Sequence, residues 1–357
     1  MKILILANND IGLYRFRKEL IYELLKENEV YISLPYGEMV EPLKSAGCTF
    51  IDTPVDRRGM NPFKDYSLYK KYKSILSELD PDLVITYTIK SNIYGGFACR
   101  RRETEYAVNI TGLGTAFEKK NLLRILVERM YKIALKESKV VFFENQANKT
   151  LFVDENLVDE KQACVLNGAG VNLLDFPYEE YPHNSKMKFL FIGRVMKEKG
   201  VEELFAAMKK LVAEGFECCL DVVGPFEENY KDVLDVYQKE GWLKYWGYQK
   251  DVRPFIKACD CFVLPSYHEG MANTNLESAA IGRPVITTDI PGCREAVIDG
   301  ETGFLCEVKN VDSLYEKMNM ITRTDRREEM GKRGRKLMEK QFNKQNIVSE
   351  TIKSLFQ

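Results

Sequence analysis

The sequence predicts an α/β fold of two doubly wound domains, each a parallel sheet with helices on both faces. Short apolar segments alternate with helical patterns along the chain. The polar, proline-containing stretch 176–187 interrupts this alternation, which restarts at Lys188. At 357 residues the chain is long enough for two domains that each bury a core.

Apolar segments in the first half of the chain predict the strands of the first sheet. Each is as short as a buried strand, and helical patterns such as Leu13–Lys26 and Leu68–Leu79 fill the gaps between them. Strands that are apolar throughout indicate a parallel sheet covered on both faces. The predicted strands are Ile3–Ala7, Val30–Leu34, Thr49–Asp52, Leu83–Tyr87, Tyr106–Ile110, Val140–Glu144 and Ala163–Asn167.

The same pattern sets the predicted domain boundaries. We expect an amino-terminal domain at residues 1–175, a linker at 176–187 and a carboxyl-terminal domain at 188–338. The remaining residues, 339–357, are predicted to be helical.

Composition excludes several classes of protein. The net charge of −1 does not favour nucleic acid as a partner. No segment approaches the roughly 20 apolar residues that a spanning helix needs, and the first residues predict a buried strand rather than a signal peptide. The nine cysteines are odd in number and include no Cys-x-x-Cys pair, which indicates free thiols. We therefore expect a cytoplasmic protein.

Positive charge is concentrated in residues 90–139, which contain eleven Lys and Arg against five Asp and Glu. The block includes the triplet Arg100–Arg102 and the helical segment Leu122–Leu135. It is either a solvated face or a surface for anionic lipid or a lipid diphosphate. The helical segment itself either packs in the first domain or lies along a membrane.

A phosphate-binding pattern follows the strand Phe189–Ile192. Gly193 and Arg194 come directly after the strand, and Lys199 and Gly200 precede a helix. A glycine turn, two cations and a helix N-terminus together favour a bound anion such as a diphosphate.

Two glutamates follow a second apolar strand, Cys261–Ser266. Glu269 comes just after the strand, and Glu277 is expected about two turns into the next helix. Each pair of charged residues follows a strand, and ligands bind at the carboxyl ends of strands in doubly wound sheets. Carboxylates for hydroxyl groups beside cations for phosphates predict a nucleotide-sugar site.

These motifs resemble retaining glycosyltransferases of family 4, which have the GT-B fold of two Rossmann-like domains facing across a cleft. The resemblance is strongest over residues 187–306 and weaker over the first half. It departs from the usual pattern at Ala272 and Asn273, where proline is common, and at the loop before Gly12, which lacks a second glycine. The matching motifs are Gly193-Arg194, Lys199-Gly200, Gly224, Gly247, Ala258-Cys259-Asp260, Leu264-Pro265-Ser266, Glu269-Gly270, Glu277-Ser278-Ala279, Gly282-Arg283-Pro284, Gly300, Gly303-Phe304, Lys90-Ser91-Asn92 and Leu113-Gly114.

The resemblance implies the role of each site residue. Glu269, Arg194 and Lys199 would be catalytic, and Glu277 would bind the ribose hydroxyl groups. The full expected donor site is Gly193, Arg194, Lys199, Gly247, Tyr248, Val252, Glu269, Gly270, Met271, Ala272, Asn273 and Glu277. The expected acceptor site is Gly12, Arg57, Arg58, Lys90, Thr111 and Gly112.

The resemblance also implies the substrates. The branch it matches transfers a hexose or N-acetylhexosamine from a UDP-sugar to a polyprenyl-diphosphate-linked saccharide, in synthesis of capsule, O-antigen, exopolysaccharide or another glycan. Such an enzyme needs no cofactor and no metal, and works peripherally at the inner face of the cell membrane. The final helix would cross back onto the first domain.

Two other functions stay open. A GT-B-type UDP-GlcNAc 2-epimerase would need more histidine and carboxylate groups than this chain offers, since its only histidines are His183 and His268. A non-catalytic sugar-nucleotide-binding subunit would be free to lose Arg194, Lys199 or Glu269. Asp80-Pro81-Asp82 could hold a metal, but its place between a helix and a strand predicts a turn.

Overall fold

The computed structural model describes residues 1–56, 59, 61–114, 117 and 121–357. The chain divides into two compact units: Met1–Ala169 with Lys344–Gln357, and Gly170–Asn343. Each unit is built on one parallel sheet. The α/β class and the two parallel sheets predicted from the sequence are confirmed.

The first unit has a seven-stranded sheet in the order β3-β2-β1-β4-β5-β6-β7. All seven predicted strands are present, with ends that differ by at most two residues. The strands are β1 (Lys2–Leu6), β2 (Glu29–Leu34), β3 (Thr49–Asp52), β4 (Leu83–Tyr87), β5 (Glu105–Ile110), β6 (Val140–Phe143) and β7 (Ala163–Val165). The helices are α1 (Asp10–Leu25), α2 (Val40–Ser45), α3 (Pro62–Leu79), α4 (Gly96–Arg102), α5 (Leu122–Leu135) and α6 (Gln146–Asp154).

The second unit has a six-stranded sheet in the order β10-β9-β8-β11-β12-β13. Its strands are β8 (Met187–Ile192), β9 (Cys218–Val223), β10 (Leu243–Gly247), β11 (Cys261–Leu264), β12 (Val285–Thr288) and β13 (Gly303–Cys306). Its helices are α7 (Val201–Ala213), α8 (Lys231–Lys239), α9 (Arg253–Ala258), α10 (Asn273–Ile281), α11 (Val311–Arg323) and α12 (Arg327–Gln341). The last helix, α13 (Lys344–Phe356), belongs to the first unit.

Asparagine side chains begin several of the helices. The Asn9 side chain accepts a hydrogen bond from Gly12 N at the start of α1. Asn121 does the same for Arg124 N in α5, and Asn145 for Asn148 N in α6. An asparagine before the first turn satisfies an amide that has no partner within the helix. These caps fix where each helix begins after its strand or loop.

Residues 176–187, predicted to be a linker, belong to the second unit, which begins at Gly170. Arg283 is fully buried, and its guanidinium donates to the carbonyl oxygens of Glu179 at 3.1 Å and Glu180 at 2.9 Å. This buried guanidinium holds the segment against the unit. The chain therefore changes units before the segment.

Both sheets reverse strand order between two adjacent strands, β1 and β4 in the first and β8 and β11 in the second. The chain segments that follow the two strands of such a pair run to opposite faces of the sheet, which opens a crevice at the carboxyl ends of the strands. The phosphate-binding pattern follows β8, and the paired glutamates follow β11. The two motifs that carry the predicted chemistry therefore meet at the switch point of the second sheet.

Gly200 brings the two motifs together at this switch point. It has the left-handed φ of +70°, and a Cβ at this position would lie 2.0 Å from the carbonyl oxygen of Pro265. A 3₁₀ turn, Lys197–Lys199, precedes it, and α7 starts at Val201, directly after the Lys199-Gly200 pair as predicted. Glycine here lets the segment before α7 pass directly against the loop after β11.

We expect Gly200→Ala to destabilise the protein more than Gly215→Ala does. Both glycines have a positive φ, but a Cβ at position 215 would meet no atom within 4 Å. The conformational cost of roughly 1–2 kcal/mol applies to both variants, and only Gly200→Ala adds an overpacking cost of about 1–3 kcal/mol. Urea unfolding followed by circular dichroism measures both. Equal losses in the two variants would show that the contact with Pro265 does not matter.

Candidate active site

A lysine and a glutamate form the centre of the candidate site. Lys199 Nζ donates to Glu269 Oε1, and their side chains are 18% and 14% exposed. The fully buried Ser266 also donates to Glu269 Oε1, at 2.8 Å. One carboxylate oxygen thus accepts from both an ammonium and a hydroxyl group, which fixes the orientation of Glu269.

Arg194 follows β8 at the carboxyl edge of the second sheet, and it is more exposed than Lys199 and Glu269. Its Nη1 is 3.4 Å from Glu227 Oε2, and its side chain is 45% exposed. The backbone of the two loops also pairs, because Val195 N donates to Pro225 O at 2.9 Å. Arg194 is therefore held loosely by one carboxylate and is accessible to a ligand from solvent. Gly193 begins this loop and donates its N–H to Val223 O of β9 at 2.9 Å.

The backbone of Glu269 and Gly270 is supported by a third loop. A Cβ at Gly292 would lie 2.5 Å from Glu269 O and 2.6 Å from Gly270 O, and Gly292 O accepts from Ala272 N at 2.7 Å. Glu295 Oε2 in turn accepts from Gly292 N at 2.8 Å. Burial raises the pKa of the Glu295 carboxyl group. The loop after β12 thus fixes the start of α10.

Helix α10 begins at Asn273 with no side-chain cap, since Ala272 precedes it. Met271 and Ala272 are buried, whereas Glu277 is partly exposed. Because the helix starts at Asn273, Glu277 lies about one turn into it and not two as predicted. Buried Cys293 follows Gly292, and burial, with the charge of Glu269, raises the pKa of its thiol to about 12.

The other predicted donor residues lie around the end of β10. Gly247 is the last residue of this strand, and its carbonyl accepts from Gly224 N at 2.8 Å, which ties the ends of β9 and β10 together. Tyr248 is 52% exposed, and Val252 is partly buried just before α9. These residues share the carboxyl edge of the sheet with the Lys199–Glu269 pair.

The predicted acceptor residues that the structure describes lie at the corresponding edge of the first sheet. Gly12 is in the first turn of α1, after β1, and Thr111 and Gly112 follow β5. Lys90 follows β4, but its ammonium donates to Asp65 Oδ1 at 2.6 Å and to Gly59 O at 2.7 Å. Arg57 and Arg58 lie outside the described residues.

Three buried polar residues connect β4 and β5 beneath this edge. Thr86 donates to Asn92 Oδ1 at 2.8 Å, and Asn92 Nδ2 donates to Asn109 O at 2.9 Å. Thr88, directly after β4, has a φ of +76°, which is unusual for a β-branched residue. Strained backbone of this kind is concentrated at functional sites.

The segment Asp80-Pro81-Asp82 connects α3 to β4. Asp80 ends α3 in the left-handed conformation, and Asp82 Oδ2 accepts from Lys2 N at 2.7 Å. Among the described residues, no group of three or more His, Cys, Asp and Glu side chains is arranged to hold a metal ion. His268 Nε2 lies 3.5 Å from Glu198 Oε2, and its side chain is 44% exposed.

Sequence analysis missed the residues that support the site. Ser266 was recognised only as the end of a strand motif, and Gly292 and Glu295 were not selected. The Pro291-Gly292 pair is a turn signal that could have identified the third loop. Tyr267, whose hydroxyl donates to Glu203 Oε1 at 2.7 Å, also links the loop after β11 to α7.

Two family models match the chain. The model described as "Glycosyl transferases group 1" matches residues 179–337, and the model described as "Glycosyl transferase 4-like" matches residues 2–145. Together they match most of the chain.

Bacterial transferases are similar over most of this chain. One is the N,N'-diacetylbacillosaminyl-diphospho-undecaprenol alpha-1,3-N-acetylgalactosaminyltransferase of Campylobacter jejuni, 27% identical over 90% of this chain and 89% of that protein. The capsular polysaccharide biosynthesis glycosyltransferase CapM of Staphylococcus aureus is 28% identical over 82% of each chain. The UDP-Gal:alpha-D-GlcNAc-diphosphoundecaprenol alpha-1,3-galactosyltransferase of Escherichia coli is 27% identical over 84% of this chain and 82% of its own.

Solved structures share the fold at lower identity. A glycosyltransferase from Rickettsia africae has a TM-score of 0.80 at 18% identity, over 99% of this chain and 97% of its own. Anabaena Alr3699/HepE, solved in complex with UDP and glucose, has a TM-score of 0.81 at 16% identity, over 99% of each chain. The two family models show that the chain belongs to glycosyltransferase family 4, and these structures show that it has the GT-B fold.

Proposed function

We propose that this protein is a retaining, metal-independent glycosyltransferase. It transfers a hexose or N-acetylhexosamine from a UDP-sugar to a saccharide that a diphosphate links to a polyprenyl lipid. The observation that carries the proposal is the ion pair of Lys199 and Glu269 at the switch point of the second sheet. The Campylobacter and Escherichia relatives, whose printed names describe lipid-diphosphate-linked acceptors, support the choice of acceptor.

The donor diphosphate would bind between Arg194 and Lys199. Arg194 is accessible, and its planar guanidinium suits two phosphate oxygens. The Lys199 ammonium donates to Glu269, so a diphosphate would compete with that carboxylate for the ammonium. Glu277 would accept hydrogen bonds from the ribose, and Tyr248 and Val252 would lie near the base. These roles are inferred from the family resemblance and from the position of these residues at the carboxyl edge of the second sheet.

The transfer step would use front-face displacement. The bond from the anomeric carbon to the β-phosphate oxygen breaks, and the acceptor hydroxyl oxygen forms a bond to that carbon on the same face. The acceptor proton passes to the leaving phosphate oxygen, so the products are a glycoside and UDP. Arg194 and Lys199 stabilise the negative charge on UDP, and Glu269 stabilises the positive charge at the anomeric carbon. No side-chain base is needed, which fits a chain with two histidines.

The acceptor would bind to the first unit and requires access to a membrane. We propose that Gly12, Thr111 and Gly112 contact the acceptor saccharide, and that Lys90 and the Arg57-Arg58 pair bind its diphosphate. Lys90 would have to exchange its present partner Asp65 for a phosphate. The protein would work at the anionic inner face of the cell membrane. In the described part of the chain, no helix is both long enough and apolar enough to cross a bilayer.

A direct assay tests the function. The purified protein is incubated in EDTA with UDP-hexoses, UDP-N-acetylhexosamines and a short-chain polyprenyl-diphosphate sugar, and the products are analysed by mass spectrometry and NMR. We expect the acceptor to gain one sugar with the anomeric configuration of the donor, and UDP to be released. An inverted linkage, conversion of the donor to its epimer, binding without turnover, or activity that Mg²⁺ restores after EDTA would each contradict the proposal.

The diphosphate assignment predicts the effect of removing each cation. Arg194→Ala and Lys199→Ala should each weaken UDP binding about 10- to 100-fold, as expected for the loss of a charge-assisted hydrogen bond. Isothermal titration calorimetry measures the affinity. Lys197→Ala is the matched control, because Lys197 is two residues from Lys199 but is 61% exposed and paired with Glu202. If both test variants bind UDP with wild-type affinity, the diphosphate does not bind at the Arg194–Lys199 loop.

The two glutamates should respond differently to loss of charge. Glu277→Gln should weaken UDP binding, because its carboxylate would contact the ribose. Glu269→Gln should leave UDP affinity unchanged or higher, because Lys199 loses its competing partner, while kcat falls by about 10²-fold. Glu198→Gln, which alters a 39% exposed carboxylate nearby, is the control. Unchanged UDP affinity in Glu277→Gln, or an unchanged kcat in Glu269→Gln, would contradict the assigned role.

A further inference from the structure

A mostly buried ion pair in the first unit has no role in the site described above. Arg17 of α1 donates from Nη2 to Glu144 Oε1 at 2.7 Å, and the two side chains are 10% and 11% exposed. The guanidinium carbon of Arg17 also lies 5.1 Å from the ring centroid of buried Tyr87. These three side chains form one cluster, the Arg17 cluster.

The Arg17 cluster lies at the carboxyl edge of the first sheet. Tyr87 is the last residue of β4, and Glu144 directly follows β6. Strand β5 lies between these two strands in the sheet, and the chain continues from it into Thr111 and Gly112. The cluster therefore reaches from β4 to β6 across the end of β5, at the edge where ligands bind in sheets of this kind.

Arg17 reaches this edge from helix α1. The helix follows β1 and begins at Asp10, and Gly12 lies in its first turn. Arg17 is about 10 Å along the axis from Asp10, but helical side chains point back toward the helix N-terminus. Of the residues proposed to contact the acceptor saccharide, Gly12 lies on the helix that carries Arg17, and Thr111 and Gly112 follow the strand that the cluster crosses.

Stability alone does not account for this ion pair. The dehydration of two ions offsets much of their attraction, and well-packed apolar residues would serve such a position at least as well. The backbone beside the cluster is also strained, because Thr88, which directly follows Tyr87, has a φ of +76°. Mostly buried charge and strained backbone at one ligand-binding edge indicate a function.

The chemistry of the cluster suits a neutral ligand that is rich in hydroxyl groups. A carboxylate accepts hydrogen bonds from hydroxyl groups and repels a diphosphate, which is itself only an acceptor. The positive and negative charges cancel within the cluster, so it offers no net charge to an anion. Arg17 fixes the direction of the Glu144 carboxylate, and the Tyr87 ring holds the guanidinium by its face. A saccharide fits this arrangement better than a phosphate does.

We propose that Glu144 binds a hydroxyl group of the acceptor saccharide, and that Arg17 is the positioning residue that orients its carboxylate. The sugar hydroxyl donates to the Glu144 carboxylate while Oε1 continues to accept from Arg17. This assignment adds a carboxylate to the acceptor site of the first unit, and it rests on the proposed function.

The test is isothermal titration calorimetry of the whole protein, without donor, with short-chain polyprenyl diphosphates that carry hexoses or N-acetylhexosamines. Glu144→Gln should weaken binding of the saccharide that wild type binds most tightly by about 10- to 100-fold, the loss expected for a hydrogen bond to a charged group. Its UDP affinity should be unchanged, because the proposed UDP-binding residues belong to the second unit. Among monodeoxy analogues of that saccharide, the one that lacks the contacted hydroxyl should bind equally to wild type and Glu144→Gln.

Two further variants separate positioning from stability. Arg17→Lys retains the positive charge and should lose less saccharide affinity than Arg17→Met. The double variant Arg17→Met/Glu144→Met removes both ions, so its melting temperature should be at or above that of wild type. It should nevertheless bind the saccharide as weakly as Glu144→Gln does. A purely structural role would not combine retained stability with lost binding.

A second ion pair on α1 provides the matched control. Lys344 Nζ lies 3.5 Å from Glu19 Oε2, and their side chains are 5% and 19% exposed. Glu19→Met/Lys344→Met should bind the saccharide as wild type does, because neither residue belongs to the Arg17 cluster. An equal loss of affinity in the two double variants would show a general effect of altering α1 and would overturn the proposal.

The remaining outcomes separate this site from the proposed function. Saccharide binding that depends on Glu144, without transfer to any acceptor, would support the site and contradict the proposed function. Transfer by wild type together with unchanged saccharide affinity in Glu144→Gln and in Arg17→Met/Glu144→Met would overturn the site and leave the proposed function in place. A double variant that loses melting temperature together with binding, or a wild type that binds none of the saccharides, would also overturn the site.

Discussion

Two stretches of backbone meet at the switch point of the second sheet, and the candidate site depends on that contact. The carbonyl oxygen of Pro265 occupies the space where a side chain at position 200 would begin. This approach brings Lys199 and Glu269, which are 70 residues apart in sequence, into one ion pair. Ser266 and the loop at Gly292 then hold Glu269 from either side. The strand order of the sheet sets the position of the site, and Gly200 allows the two loops to approach closely enough for Lys199 and Glu269 to form an ion pair.

The Lys199–Glu269 pair is better explained by ligand binding than by stability. Both side chains are mostly withdrawn from water, and the dehydration of two ions offsets much of their attraction. A pair of well-packed apolar residues would serve the fold at least as well. What the pair provides is a lysine and a carboxylate already oriented, with little reorganisation left when a substrate replaces one partner. Under the proposed function, the arriving diphosphate is that replacement.

The sequence was sufficient for the strands but not for the contacts between loops. Central parallel strands such as β4 and β6 are buried on both faces and appear as continuous apolar segments, so they could be predicted from the sequence. Helix α7 starts directly after Gly200, as the Lys199-Gly200 pattern predicted, but the 3₁₀ turn at Lys197–Lys199 was not predicted. Ser266 and Glu295 each contact a group only three residues away, but no sequence pattern shows that their side chains turn toward the Glu269 carboxylate and Gly292 N. The partner of Lys90, Asp65, lies 25 residues earlier, and no local pattern indicates it.

Helix α5 shows why a charge count along the sequence does not locate a charged surface. The count over residues 90–139 treats every cation alike, yet Arg100 and Arg124 are both bound to carboxylates within the first unit. Pairing removes these charges from any long-range attraction, while exposed Arg129, Lys132 and Lys136 keep theirs. The same helix also exposes the aliphatic side chains of Leu122, Ile125, Leu126 and Ile133, and a count of charges does not include this apolar surface. The charge that α5 presents to solvent therefore depends on which side chains the core has already used, and the packing of Tyr131 against Phe152 decides which face of α5 remains outside.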